Sequence, residues 1–267
     1  MPRGARVDIV VPVYNEARVL AASIRTLVEF LSQECPYDWR IVIADNASTD
    51  ETPAIMWDLA RRYSRVQGMR IESKGRGIAL KRAWIGSDAA IHAYMDVDLS
   101  TDLSALEPLL DRVADEYDIA IGSRHVPRAV LRRSVKREVL SRAYNHLLRV
   151  LFRTSVTDAQ CGFKAVSHRV VTDLVPRVES DGWFFDTELL LLAEHAGCRI
   201  AQVPVRWVED RDSRVQVGST VAEYLREVWR LRRTVWGSAE PARARASLGA
   251  LPNPDSPAAG SSSAGEL

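Results

Sequence analysis

The residues that could do chemistry begin with two aspartates placed two positions apart. Asp96 and Asp98 directly follow the apolar segment Ile91–Met95, which has the composition of a buried parallel strand. One or two such carboxylates, together with phosphate oxygens of a substrate, commonly hold Mg²⁺ or Mn²⁺. A capping aspartate beside a solvated one would give the same pair. Its place at the carboxyl end of a strand favours the metal site.

A third carboxylate occupies a comparable position. Asp45 ends the β-branched segment 39–44 and precedes a polar run. Ser48 or Asp50 in that run would cap the next helix, but capping does not explain Asp45 itself. We therefore treat Asp45 as a candidate ligand-binding residue at the same edge of the sheet.

The run Lys74-Gly75-Arg76-Gly77 precedes a predicted helix. A flexible backbone, two cations and a helix N-terminus together suit a phosphate or diphosphate, although a simple glycine-rich turn is the alternative. The GxxxxGK[ST] spacing of a Walker A loop is missing, and no GxGxxG follows the first strand. These absences argue against kinases, P-loop NTPases and dinucleotide-binding enzymes.

These groups must be positioned by alternating strands and helices. The predicted strands are 7–13, 39–44, 69–72, 91–95 and 118–122, and the predicted helices are 16–32, about 52–63, about 78–87 and about 103–114. This alternation predicts βαβ units in an α/β doubly wound sheet, with ligands at the carboxyl ends of the strands. Beyond it, 158–166 is predicted to be irregular, 188–195 a helix and 199–208 a strand containing Pro204.

Composition narrows the class of protein. The 267 residues fit one large or two small domains, and 46% apolar with 27% charged residues excludes a chain disordered throughout. With 36 basic against 35 acidic side chains, nucleic-acid binding is not expected. The spacing of Cys35, Cys161 and Cys198 indicates buried thiols in a reducing compartment.

The two ends of the sequence add expectations about location. Residues 1–6 carry two arginines without an apolar core, and no run of 18 apolar residues follows. We therefore expect neither secretion nor a membrane span. Residues 237–267 are rich in Ala, Gly, Ser and Pro, which predicts a disordered tail after a single catalytic domain, 1–236.

Seven short motifs in one order make the sequence resemble the family 2 glycosyltransferases with the GT-A fold, and within them the polyprenyl-phosphate or dolichyl-phosphate sugar synthases. They are VVPVYNE from Val10, DNASTDET from Asp45, KGRGIAL from Lys74, MDVDLS from Met95, GSR from Gly122, DAQCGFK from Asp158 and FDTELL from Phe185. Together they span about residues 6–236. Asn46 and Ala47 depart from the aspartate and glycine of the usual DDGS run.

The resemblance implies a role for each matching residue. On the donor side it implies nucleotide contacts for Pro12, Tyr14, Glu16 and Asp45, phosphate contacts for Lys74, Gly75 and Arg76, metal and diphosphate binding by Asp96 and Asp98, and closure over the donor by Arg214. On the acceptor side it implies phosphate contacts for Arg124, Arg137 and Ser141, and acidic site residues at Asp186 and Glu188. A solvated surface charge is the alternative for each arginine, and a capping box for the last two.

The implied reaction is inverting, metal-dependent transfer of a sugar to a polyprenyl phosphate for cell-envelope glycan assembly. The forms of the motifs favour a UDP-sugar, glucose or N-acetylhexosamine, with Mg²⁺ or Mn²⁺ as cofactor. Because the acceptor phosphate is already ionised near pH 7, no strong general base is needed. The alternatives are a GDP-mannose-using synthase, and a transferase with a soluble hydroxyl acceptor, which would need a base. A non-catalytic sugar-nucleotide-binding module is disfavoured by retention of both Asp96 and Asp98.

Two basic, amphipathic segments, 128–153 and 221–236, suggest how such an enzyme would meet a lipid. Each combines arginines with apolar residues at helical spacing, and the second adds tryptophans, a combination that suits a headgroup boundary. We expect a cytoplasmic protein attached peripherally to the inner face of the cell membrane, directly or beside a small membrane protein. The alternative is that both helices pack on the core with solvated basic faces.

Overall fold

The computed structural model describes residues 4–132, 134–208 and 217–235. Its strands are β1 Arg6–Val13, β2 Asp38–Asn46, β3 Val66–Ile71, β4 Ile91–Met95, β5 Ile119–Ser123, β6 Val130–Arg132, β7 Phe163–Ser167, β8 Ile200–Pro204 and β9 Arg206–Val208. Its helices are α1 Leu20–Glu34, α2 Thr52–Arg62, α3 Arg76–Ile85, α4 Leu106–Ala114, α5 Val135–Phe152, α6 His168–Asp173, α7 Phe185–His195 and α8 Val217–Thr234. Short 3-10 turns precede α4 and follow α6.

A seven-stranded sheet in the order β3-β2-β1-β4-β7-β5-β8 forms the centre of the fold. The pairs β1–β2, β1–β4, β2–β3 and β5–β8 are parallel. The predicted α/β doubly wound class is confirmed, and the predicted strands and helices of the first 122 residues are all present within a few residues of their expected ends.

The exception to parallel pairing is β7, which runs antiparallel between β4 and β5. The sequence predicts 158–166 to be irregular; this holds for the 158–162 loop and is wrong for 163–166, which belong to β7. All five residues of β7 are buried, including Lys164. A buried lysine breaks the apolar pattern by which a central strand is recognised.

Two apolar layers cover the sheet. On one face, α1, α2 and α4 contribute buried side chains such as Leu27, Met56 and Leu109. On the other face, α3, α5, α6, α7 and α8 contribute buried residues such as Trp84 and Leu189. Helices on both faces explain why the central strands are apolar on both sides.

The predicted strand 199–208 is two strands in the structure. Proline has no backbone N–H to continue a ladder, and β8 ends at Pro204. The chain then forms β9, which pairs in parallel with β6 in a separate two-stranded sheet. Trp207 of β9 also bridges to Thr101, just after the Asp96–Asp98 turn. The small sheet therefore lies beside the candidate site.

Both basic segments contain helices that pack on the core. Leu148 and Phe152 of α5 and Val228 and Leu231 of α8 are buried in the apolar layer, and the rings of Tyr144 and Tyr224 lie 5.3 Å apart. Much of the apolar face expected to meet a membrane is thus occupied by the protein itself. Within the described ranges, every helix is too short or too polar to cross a bilayer.

Candidate functional site

Asp96 and Asp98 lie where β4 ends at the carboxyl edge of the sheet. The N–H of Asp96 donates to the carbonyl of Gly162 at 3.2 Å. A Cβ on Gly162 would stand 1.9 Å from Oδ2 of Asp96, so only glycine fits beside this carboxylate. Asp98 is exposed, and its Oδ1 accepts the backbone N–H of Ser100 at 3.0 Å. The backbone therefore fixes the position of Asp96 in the turn and holds the carboxylate of Asp98.

Arg76, the first residue of α3, pairs with Asp96. Its Nη2 lies 2.7 Å from Oδ1 of Asp96, and its Nε lies 3.9 Å from Oδ2 of Asp186. The guanidinium carbon lies 5.1 Å from the ring centroid of Tyr94 and 4.9 Å from that of Trp183. Only 9% of the Arg76 side chain is exposed. A buried cation thus stands directly against the predicted metal-binding carboxylate.

Behind this pair lies a buried polar network centred on Asp186. The Lys164 ammonium lies 3.0 Å from Oδ1 of Asp186 and 3.2 Å from the Tyr94 hydroxyl, and Tyr94 donates to Asp186. All three side chains are almost fully buried. Since each charge has an opposite partner, the network meets the requirement that buried ions be paired.

Burial and charge shift the pKa values of these groups. Desolvation raises the pKa of Asp96 above its ordinary value, with Arg76 opposing it and Asp98 and Asp186 adding to it. Burial also raises the pKa of Tyr94, and Asp186 raises it further. For Arg76, burial lowers the pKa, but Asp96, Tyr94 and Asp186 more than compensate. Arg76 therefore carries its charge at every ordinary pH.

A second arginine–aspartate pair lies at the end of β5. Arg124 donates from Nε and Nη2 to the two oxygens of Asp158 at 2.7 and 2.8 Å, and its backbone N–H donates to the same carboxylate at 3.0 Å. Burial raises the pKa of Asp158, but Arg124 dominates and brings it to about 2. The guanidinium also lies 5.4 Å from the ring centroid of Trp207. Arg124, predicted to contact phosphate, is thus already bidentate to a carboxylate.

At the end of β2, Asp45 is buried and bound to Arg70 and to the backbone N–H of Ser48. Asn46 donates from its amide to the carbonyl of Val13 at 2.7 Å and accepts the N–H of Gly75 at 3.2 Å. A carboxylate could not donate to that carbonyl, which gives a physical reason for asparagine in place of the usual aspartate. Asn46 links the ends of β1 and β2 to the start of α3.

The remaining predicted donor residues line the same edge. The Lys74 ammonium lies 4.1 Å from the ring centroid of Tyr14. Glu16 donates its backbone N–H to Thr52, and its carbonyl accepts from the first turn of α1. Pro12 is half-buried in β1, paired with Ala44. Arg214 lies outside the described residues.

On the acceptor side, Ser141 of α5 is buried and its Oγ lies 3.4 Å from Nε2 of His125. Arg137 is half-buried one turn earlier on the same helix. Further along α5, Asn145 accepts the N–H of Ala159 at 3.0 Å. The helix is thereby held against the 158–162 loop that also contacts Asp96 and Arg124.

Glu188 is placed differently from Asp186. Its carboxylate accepts the N–H groups of Glu179 and Ser180 and an Arg230 guanidinium N–H at 2.8 Å. These contacts tie α8 and the 179–180 segment to α7. They account for the burial of Glu188 as a positioning residue, and a direct role in the site stays a prediction.

The structure adds residues that the sequence does not single out: Lys164, Tyr94, Trp183, Arg70 and Asp158. Lys164 and Asp158 lie within the quoted DAQCGFK motif, so a signal for them existed. The pairing of Arg70 with Asp45 joins adjacent positions on paired strands. Trp183 lies outside any strand or helix and offers no comparable signal.

The carboxylates at this site suit a divalent cation only when a ligand with phosphate oxygens is also bound. In the part of the chain that the structure describes, no three histidine, cysteine or acidic side chains come together as a metal-binding group. Asp96 and Asp98 supply carboxylate oxygens, the ligand type that Mg²⁺ and Mn²⁺ prefer, and such ions are often completed by substrate phosphates and water. The residues present therefore fit a divalent cation that arrives with a phosphate-bearing substrate.

A sheet wound on both sides by helices, with an Asp-x-Asp pair at the carboxyl end of a central strand, defines the GT-A type of fold. The model of the family described as glycosyl transferase family 2 matches residues 8–175. The chain belongs to this family.

Individual relatives agree with that assignment. The glycosyltransferase AglD of Haloferax volcanii is 40% identical over 235 residues, which cover 85% of this chain and 38% of the relative. The dolichyl-phosphate beta-glucosyltransferase of Saccharomyces cerevisiae is 27% identical, covering 76% of this chain and 66% of the relative. The chain thus spans less than two thirds of the length of both relatives.

Among solved structures, a glucosyl-3-phosphoglycerate synthase from Mycobacterium tuberculosis, crystallised with Mn²⁺, UDP and glucosyl-3-phosphoglycerate, superposes with a TM-score of 0.65 at 18% identity. The match covers 89% of this chain and 82% of that one. At this level of identity the likeness supports the fold.

Proposed function

We propose that this chain is a glycosyltransferase that moves a sugar from a UDP-sugar, with glucose favoured over N-acetylhexosamine, to a polyprenyl phosphate. The observation that carries the proposal is the match to dolichyl-phosphate beta-glucosyltransferases over 76–86% of the chain. The product would be a polyprenyl-phosphate monosaccharide for cell-envelope glycan assembly. UDP-glucose carries its sugar in α linkage, so the β configuration in the name of these beta-glucosyltransferases supports an inverting reaction.

The donor would lie along the carboxyl edge of β1, β2 and β4. Asp96 and Asp98 would hold Mg²⁺ or Mn²⁺, which supplies charge neutralisation for the departing diphosphate. Tyr14, Asp45 and Lys74 line the same edge and would contact the nucleotide. The glucosyl-3-phosphoglycerate synthase with Mn²⁺ and UDP supports this choice of cofactor and nucleotide.

The partners of the acidic residues support an ionised acceptor. Asp186 is bound by Lys164 and Tyr94, and Glu188 is bound by Arg230. Oxygens that already accept from an ammonium, a hydroxyl or a guanidinium are less available to take a proton from an acceptor hydroxyl. A phosphate acceptor is already an anion and needs none, whereas a hydroxyl acceptor would. Arg137 and Ser141, on the helix next to the 158–162 loop, would contact this phosphate together with Arg124.

We further propose that the protein attaches peripherally to the inner face of the cell membrane. Three exposed apolar residues on two helices support this attachment: Val135 (78% exposed) and Val150 (64%) on α5, and Trp229 (61%) on α8. Exposed basic residues lie on the same two helices, including Lys136 and Arg142 on α5 and Arg226 on α8. Apolar side chains flanked by arginine and lysine suit an anionic headgroup layer.

The experiment for transfer combines the purified protein, a polyprenyl phosphate, Mg²⁺ or Mn²⁺, and in turn UDP-glucose, UDP-N-acetylglucosamine, UDP-N-acetylgalactosamine and GDP-mannose. Mass spectrometry then detects the glycolipid, and NMR of the anomeric proton gives its configuration. We expect a β-linked glucolipid that is lost with EDTA. A mannolipid would replace the donor assignment, and a product formed only with soluble hydroxyl acceptors would refute the acceptor assignment.

The experiment for attachment is sedimentation with vesicles of phosphatidylglycerol and phosphatidylcholine, compared with phosphatidylcholine alone. We expect binding to the anionic vesicles that weakens in Trp229→Ser. Trp57→Ser is the matched control, because Trp57 is an exposed tryptophan on α2. Equal binding of both variants would remove α8 from the proposed surface, and no binding at all would point to a membrane-protein partner instead.

A further inference from the structure

The start of α3 is shaped to hold Arg76 in one place. A Cβ on Gly75 would meet the carbonyl oxygen of Asp181 at 2.4 Å, and one on Gly77 would meet that of Ser180 at 2.8 Å. The backbone N–H of Ile78 donates to the carbonyl of Asp181 at 3.2 Å. The two glycines therefore let the 180–181 segment close onto the helix start, which directs Arg76 into the site.

Arg76 forms a close ion pair, but its hydrogen bonds are incomplete. Its Nη2 lies 2.7 Å from Asp96, yet Nε and Nη2 are buried atoms without a well-aligned hydrogen bond. A buried donor left in this state destabilises the free protein. Such a guanidinium favours an additional anionic oxygen from a ligand.

From this geometry we propose that Arg76 is an exchangeable counter-ion of Asp96. In the free enzyme it neutralises the carboxylate, and when the nucleotide diphosphate binds, the guanidinium moves from Asp96 to a phosphate oxygen and leaves Asp96 available to the divalent cation. The inference rests on the proposed function in taking Asp96 as a cation ligand. It adds that Arg76 makes cation and nucleotide binding depend on each other.

The surrounding charges allow this exchange. When Arg76 moves, Asp186 keeps Lys164 at 3.0 Å and the hydroxyl of Tyr94, so only Asp96 loses its partner. Asp98 is exposed to solvent and has no ion pair among the described contacts. The negative charge that appears therefore belongs to the two carboxylates next to the proposed cation position.

The test measures two binding reactions without any sugar transfer. Binding of Mn²⁺ alone is followed by the electron paramagnetic resonance signal of the free ion, and binding of UDP alone is followed by calorimetry in EDTA. In Arg76→Gln we expect Mn²⁺ to bind about tenfold more tightly than in the wild type, and UDP about tenfold more weakly. Arg76→Lys, which keeps the charge, restores weak Mn²⁺ binding.

Matched variants separate the proposal from a structural effect. Arg82→Gln, an exposed arginine on the same helix, leaves both constants unchanged. Asp96→Asn loses Mn²⁺ binding but binds UDP in EDTA at least as tightly as the wild type, because Arg76 is then unpaired.

Opposite shifts for the two ligands support the exchange. Weakening of both ligands in Arg76→Gln, no change in either, or weaker UDP binding in Asp96→Asn overturns it, as does failure of every variant to bind Mn²⁺. Since neither measurement contains an acceptor, opposite shifts without any glycolipid product would refute the proposed function and leave this inference standing.

Discussion

Two of the arginine–aspartate pairs at the carboxyl edge of the sheet, Arg124–Asp158 and Arg76–Asp96, are constructed differently. Arg124 and Asp158 join through two parallel hydrogen bonds and a backbone N–H. Arg76 and Asp96 share an ion pair whose arginine donors are poorly aligned. The first pair has its hydrogen-bonding capacity largely filled and holds the 158–162 loop to β5. The Arg76–Asp96 pair leaves arginine N–H groups without a hydrogen bond, and a pair that exchanges partners needs such free donors.

The difference shows that charge type alone does not identify a functional residue. The sequence predicts a phosphate contact for each arginine, and each is largely buried. Removing one member of a well-bonded buried pair leaves an uncompensated charge and destabilises the fold. Removing one member of the loosely bonded pair should change binding more than stability, and the following variants test that contrast.

The largest effect, on catalytic activity, is expected at Asp98, next to the Arg76–Asp96 pair. Asp98→Asn should lower kcat/KM for glycolipid formation by about 1000-fold, equivalent to about 4 kcal/mol, because charge compensation of the leaving group is lost. The exposed position of Asp98 implies a change in unfolding free energy below about 0.5 kcal/mol. Initial rates and urea unfolding measure the two quantities. Asp58→Asn on the surface of α2 is the control, and near-normal turnover of Asp98→Asn would contradict the metal assignment.

On the Arg124 side, Asp158→Asn should lower the free energy of unfolding by about 3 kcal/mol, since it leaves Arg124 buried without its carboxylate. Urea denaturation measures the change. The double variant Arg124→Met with Asp158→Asn should be less destabilised than the sum of the two single variants. Strict additivity would mean that the two side chains do not act as a pair.

A pH series distinguishes this pair from another buried group, His92 of β4. Burial lowers the pKa of His92 to about 4, whereas an unfolded histidine titrates near 6.5. The unfolded chain therefore binds the proton first, so stability present above about pH 6.5 is lost as the pH falls towards 4. The loss between pH 7 and 5 should be about 2 kcal/mol.

Urea unfolding at pH 7 and pH 5 measures this dependence. His92→Gln should lose about 2 kcal/mol less than the wild type over the interval. Asp158→Asn should follow the wild-type slope, because the pKa of Asp158, about 2, is depressed and its contribution is lost only below about pH 4. A flattened slope in Asp158→Asn would contradict the assignment of the pH dependence to His92.

The smallest effect compares conservative changes. Arg124→Lys should destabilise the protein by about 1 kcal/mol, since an ammonium cannot reproduce the two parallel hydrogen bonds. Arg76→Lys should change stability by less than about 0.5 kcal/mol, because its pair has no such geometry to lose. Thermal and urea unfolding of both variants give the ranking. Equal losses would remove the distinction between the two pairs.

The sequence predicts the first half of the fold well, because segments such as 7–13 and 39–44 are largely apolar and lie within a parallel sheet covered on both faces. Their charged residues, Asp8 and Arg40, bind each other. It fails at β7, where Lys164 is buried by virtue of its partner Asp186 on α7. No local pattern encodes a contact between residues so far apart in the chain. Pro204 ends β8, but a proline in the sequence does not by itself distinguish the end of a strand from an edge position within one.

In the candidate site, too, some features follow from local sequence and others depend on contacts between distant residues. The Asp-x-Asp pair, the glycines around Arg76 and the position of Asp45 follow from strand ends and turn residues. The partners Arg70, Asp158 and Trp183 come from other strands and loops. Sequence motifs can therefore nominate the reacting groups, but which charge neutralises which is decided by the tertiary structure.

The antiparallel strand β7 also determines the order in which the chain can fold during synthesis. The strands β3, β2, β1 and β4 are complete once Met95 has emerged, but the free edge of β4 waits for Phe163–Ser167. About 70 residues separate these points, and at roughly 5–20 residues per second the edge stays open for several seconds. An uncovered apolar strand edge invites pairing with other chains. Chaperone demand during translation should therefore peak before β7 leaves the ribosome.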